Sequence, residues 1–217
     1  MANTRPSPQV MSSSARRLIV IGAPIALAVL ELWHPLFASD AGESLLPVAD
    51  RWLVVHLLQL PLFALLGVAL HLLVDGLSGV APAVARIAAI VFAALYAAFD
   101  GVAGIATGVL AREANRLGPV ERATVEGAID ALFTDSIVGG ASSLLAVAAS
   151  LAWLVAALAV ALSLRRAGVH RVAVVLVALS ALLFPLGHTP PNAQLALGCF
   201  AAGAALAEFG PRVPRGK

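Results

Sequence analysis

The stretch "RRLIVIGAPIALAVLELWHP", Arg16–Pro35, decides how this chain is read. No charge falls between Arg17 and Glu31, and nearly every residue there is apolar or small. With its flanks the run is long enough to cross a hydrocarbon core of roughly 30 Å. Its end is unusual, because Glu31, His34 and Pro35 crowd into five positions of a segment that must sit in lipid.

The rest of the chain repeats the pattern. Of 217 residues, 60% are hydrophobic and 12% charged, against about 45–50% and about 25% in soluble domains. Mean hydropathy is +0.95. The apolar residues fall in long blocks, whereas an outer-membrane barrel would alternate over ~10-residue segments. The chain therefore reads as an all-α, polytopic integral membrane bundle. Six spans are expected, at about 18–37, 51–74, 84–110, 138–163, 171–187 and 193–209. Residues 1–17, rich in Pro and Ser, read as a disordered cytoplasmic N-terminus, and 210–217 as a cytoplasmic tail. A cleaved signal peptide over 1–41 is the competing reading. The apolar run is long for one, and Glu31, Trp33 and His34 interrupt its end.

Charge orients the bundle. With the N-terminus inside, ten of the fourteen Lys and Arg residues fall on inner segments, and only Arg51, Arg112, Arg116 and Arg122 lie outside. Both termini are then cytoplasmic, and Trp33 and Trp52 form an outer aromatic belt. The expected location is the cytoplasmic membrane of a prokaryote, with membrane lipids as the surroundings. Charges placed this way orient a membrane protein and give no reason to expect a nucleic-acid partner. The single cysteine, Cys199, excludes an intrachain disulfide.

One outer segment, "GPVERATVEGAIDALFTDS" (118–136), predicts a short amphipathic helix on the outer face, started by Pro119. Val125, Ile129 and Leu132 share a face. Glu126 and Asp130, four apart, either address a ligand or form a solvated acidic face.

Depth along each span, at about 1.5 Å per residue, collects Glu31, His34, His56, Asp100 and His188 in the outer half of the bundle. Glu31 and His34 share a helix face, as do His56 and Gln59. Asp100 stands beside Ala97, Gly101, Gly104 and Gly108, a set of small residues that turns it towards neighbouring helices. A charge at mid-membrane costs about 2.5–3.5 kcal/mol, so these groups should meet one another, a metal or water. The plainer alternatives are an ion pair of Glu31 with Arg51 and a hydrogen bond from His56 to a backbone carbonyl.

Three functions follow. The first is a metal site: His34, His56 and His188 as ligands of one Zn²⁺ or Fe²⁺, with Glu31 and Asp100 as catalytic carboxylates, hydrolysing or modifying a lipidic substrate. The second is a di-haem, b-type electron carrier with axial pairs His56/His188 and His71/His170. The third is a carrier or scaffold for a lipidic or small apolar ligand, with Asp100 as a proton or cation site. No phosphate-binding loop, nucleophile elbow or cysteine pair is present to support nucleotide hydrolysis or thiol chemistry.

Overall fold

A computed structural model describes residues 11–36, 40–187 and 189–210. It is all-α, with no strand among the described residues. Among the described residues seven helical runs follow one another: α1 Ser13–Glu31, α2 Ala41–Leu73, α3 Val80–Ala114, α4 Pro119–Thr134, α5 Leu144–Arg166, α6 Arg171–Leu186 and α7 Asn192–Phe209. Runs α1, α2, α3 and α5 are long and apolar enough to cross a membrane, and α6 is a shorter apolar helix. The chain is an integral membrane protein by this measure.

Starts and stops follow local chemistry. Ser12 caps α1 by accepting from Ala15 N at 3.2 Å, so Ser13–Arg17, expected to be disordered, is helical. An accepting hydroxyl before a run of helix formers is enough to begin the first turn. The rest of the expected disorder, residues 1–10, lies outside the described residues. Pro119 takes the first position of α4 as expected, and Ser143 caps α5 by accepting from Ala146 N. The proline-rich stretch after α6 breaks the chain before Asn192.

Six helices close into a ring: α1 packs on α2, α2 on α3, α3 on α5, α5 on α6, α6 on α7, and α7 returns to α1. The ring is filled by aromatics. Phe63, Phe92, Tyr96, Trp153, Phe184 and Phe200 are all essentially buried, with Phe63 and Tyr96 centroids 3.9 Å apart and Trp153 stacked on Phe184 at 4.9 Å. Such side chains each bury about 150–250 Å² and dominate a core.

The helices run alternately up and down. At one end the bundle gathers Arg16, Leu73, Leu164, Val169 and Ala207, from the start of α1, the ends of α2 and α5, the approach to α6 and the end of α7. An ion pair of 2.8 Å between Arg16 and Glu208, with Arg17 over the Phe209 ring at 4.6 Å, ties the start of α1 to the end of α7 there. The opposite end gathers the end of α1, the first turns of α2 and the approach to α5. α4 lies across that opposite end, packed on the first turn of α2 and the last turns of α3.

Candidate functional site

The end of α1 delivers Glu31 and His34, and both are buried, at 1% and 8% exposure. Glu31 does not pair with Arg51. Gln59 on α2 donates from Nε2 to its Oε1 at 2.5 Å. His34 Nδ1 donates to the carbonyl of Pro35 at 2.8 Å. A carbonyl only accepts, so the proton of neutral His34 sits on Nδ1 and the Nε2 lone pair faces inward.

α2 supplies His56 and Trp52. His56 Nδ1 donates to the Trp52 carbonyl one turn back at 2.8 Å, the plain hydrogen bond anticipated above. His56 Nε2 lies 3.8 Å from Asp100 Oδ1. Trp52 is not the interfacial belt residue expected. It is 4% exposed, and its indole donates to the carbonyl of Gly104 at 2.8 Å. An indole N–H in an apolar interior needs an acceptor, and Gly104 provides one. Trp33, 50% exposed, does suit an interface.

α3 changes character at the site. From Asp100 to Ala106 it winds as a π-helix, and this wider turn displaces backbone carbonyls from the regular ladder. Thr107 Oγ donates to the Ala103 and Gly104 carbonyls. Gly104 is required by close approach: a Cβ there would overlap the His56 ring, and one on Gly108 would press on Trp52 and Leu53. Gly101 meets nothing within 4 Å and plays no such part. Asp100 itself is 2% exposed, turned inward as its small neighbours implied.

The rings of His34, Trp52 and His56 form one cluster: His34 meets Trp52 and His56 edge to face at 5.0 and 5.1 Å, and Trp52 lies tilted against His56 at 4.1 Å. They floor a pocket of about 310 Å³. Its walls are Pro35, Leu36, Phe99, Ala103 and Phe133, and Gly140, Ala141, Gly187 and Thr189 stand with them. A cavity of this size lies at the small end of ligand clefts, roughly 300–1,000 Å³.

The structure thus brings together four of the five anticipated residues, Glu31, His34, His56 and Asp100. His188 lies outside the described residues. Gln59 and Trp52 belong to the site as well, and only their positions on α2 hinted at it. No three His, Cys, Asp or Glu side chains among the described residues converge as a metal ion requires. Of the other expected axial pair, His71 is exposed on α2 and His170 accepts from Val172 N as the cap of α6.

The acidic pair on α4 separates. Asp130 Oδ1 accepts from Gly42 N at 2.8 Å, holding the first turn of α2 under α4. A Cβ on Gly42 would strike the Glu126 backbone, so this contact needs glycine. Beyond α4, the Asp135 carboxylate accepts from the backbone N–H groups of Val138 and Ile137, which holds its pKa below the ordinary 3.8.

In comparisons with known proteins, no family model matches this chain, and no curated protein or solved structure matches it either.

Proposed function

We propose that this protein binds a lipidic or small apolar molecule in the pocket at the α4 end of the bundle, with Glu31, His34, His56 and Asp100 as the polar, protonable end of that site. One observation carries the reading. An apolar, aromatic-walled cavity ends on two histidines whose Nδ1 protons are both committed to backbone carbonyls. A largely apolar cleft with a few convergent polar groups is the usual form of a small-molecule site.

The chemistry available is acid–base. Neutral His34 offers Nε2 as a base to a bound molecule. A proton taken up by His56 on Nε2 would face the Asp100 carboxyl 3.8 Å away, and the second carboxyl, Glu31, is oriented by Gln59. Hydrolysis or modification of the bound molecule is the reaction class this donor set suits. In this reading all six ring helices cross the cytoplasmic membrane of a prokaryote, with both chain ends inside and the pocket near the outer leaflet, as the distribution of Lys and Arg requires.

The histidines favour a second reading, metal-assisted hydrolysis. Metal-ligating imidazoles habitually donate their other N–H to a backbone carbonyl, as both do here. Elemental analysis of the purified protein separates the two: near-stoichiometric zinc or iron supports the metal, and its absence after supplying either ion removes it.

The pocket itself is tested by what travels with it. Wild-type protein and Ala141→Trp, which fills the pocket with a ring, are isolated in native nanodiscs and extracted for mass spectrometry. An apolar species enriched with the wild type and lost from the variant supports the site. Identical extracts overturn it.

A further inference from the structure

The cavity at the α4 end carries few polar groups, and their hydrogen bonds fix what a guest must bring. Among the described lining residues, the side chains with polar atoms are His34, Trp52, His56 and Thr189. None is a lysine, arginine, aspartate or glutamate, and Glu31 and Asp100 form no part of the cavity wall. The ring donors are already engaged: Trp52 Nε1 on the Gly104 carbonyl, His34 Nδ1 on that of Pro35 and His56 Nδ1 on that of Trp52. One acceptor is left over. His34 is more than nine-tenths buried, and no described residue donates to its Nε2. With the ring proton on Nδ1, that nitrogen carries a lone pair and only accepts.

A buried acceptor without a donor is destabilising, and a guest that donates recovers the loss. A carboxylate or phosphate brings acceptors and a charge, and the described lining gives it no cation and no unengaged ring N–H. An ammonium donates, yet its charge meets no carboxylate in that lining and loses its water against Leu36, Phe99, Ala103 and Phe133. Thr189 offers only a neutral hydroxyl. A hydroxyl on the guest donates and stays neutral. The volume, about 310 Å³, suits a compact or single-chain body and excludes a whole two-chain phospholipid.

We propose that the pocket selects a neutral apolar alcohol, whose hydroxyl donates to His34 Nε2 while its hydrocarbon body lies against the aromatic walls. The inference rests on the pocket being a ligand site, as argued above, and adds the chemical class of the ligand.

Four compounds with one apolar cage test it: 1-adamantanol, 1-methoxyadamantane, 1-adamantylamine and adamantane-1-carboxylate. The ether keeps the oxygen of the alcohol and lacks its proton. Each is titrated into the full-length protein in nanodiscs, and the rise in melting temperature gives the affinity, since a ligand that binds only the folded state stabilises it. Affinities are referred to the membrane-bound concentration of each compound, measured on protein-free discs. The alcohol is expected to bind the wild type about tenfold more tightly than the ether, as one buried hydrogen bond allows, and more tightly than the amine or the carboxylate. In His34→Phe, which keeps a ring and removes the acceptor, the preference over the ether disappears, and in Ala141→Trp all binding is lost. If the ether, amine or carboxylate equals the alcohol on the wild type, or the preference survives in His34→Phe, the alcohol class is wrong and the pocket stands. The wild-type ranking decides this even where His34→Phe does not fold. If none of the four shifts the wild type, both the alcohol class and the ligand pocket fall.

Discussion

The indole of Trp52 donates to the carbonyl of Gly104 at 2.8 Å, and the ring of His56 lies against the same glycine. One residue of α3 thus fixes two of the three rings that floor the pocket. It can do so because the π-helical turn after Asp100 exposes its carbonyl and because it has no side chain.

Gly104→Ala is the first prediction. The added methyl must displace the His56 ring, and overpacking of this kind costs about 1–3 kcal/mol. The melting temperature should fall, and ligands of the pocket should weaken with it. Gly101→Ala, one turn away in open space, should change neither, which a thermal-shift comparison of the two variants will read.

Gln59 supplies the buried donor to Glu31. Gln59→Leu should destabilise by about 1–3 kcal/mol, because a carboxyl is left in an apolar interior without its partner. Adding Glu31→Leu should recover much of the loss, since removing both partners is far less costly than removing one. A double-mutant cycle measures the coupling, and additive single losses would show that the pair is not coupled.

Asp130 binds the first turn of α2 to α4 through Gly42 N. Asp130→Ala should cost about 1 kcal/mol, the net value of one hydrogen bond. Faster amide hydrogen exchange should appear over Ala41–Leu45 and α4 and leave the ring core unchanged. Uniform loss of protection across the ring would assign Asp130 a different role.

Asp135 carries a pH dependence of definite sign. Its folded pKa lies below the ordinary value because Val138 and Ile137 donate to the carboxylate. Its contribution is therefore present above about pH 4 and is lost as pH falls through the folded value. Wild type and Asp135→Asn should diverge above pH 4 and converge in acid, as a melting-temperature series would show.

Much of this was legible in the sequence. Burying so many apolar residues in helices of membrane length leaves few alternatives to a bundle, and intramembrane Glu31, His34, His56 and Asp100 had to find one another or unfold it. The partners were not legible. Glu31 chose Gln59 over Arg51 because the ring places α2 beside α1 at the depth of Gln59, which no spacing rule states. Trp52 looked interfacial from its place near a span end, yet α4 covers that end and the Gly104 carbonyl gives the indole an acceptor. Asp130, read as part of a solvated or ligand-facing pair, is spent on an amide 88 residues away in sequence. The π-turns in α1 and α3 have no pattern of their own, because they depend on what packs against them.

The central claim is that the α4 end of the ring holds a pocket for an apolar molecule. Photolabelling of the protein in nanodiscs with adamantane diazirine, followed by peptide mapping, addresses it directly. The predicted adducts fall on pocket residues, Leu36, Phe99, Ala103 and Phe133, and are competed by 1-adamantanol. Adducts confined to outward-facing residues such as Leu58, Ile87, Ile90 and Leu151, with no competition, would contradict the account.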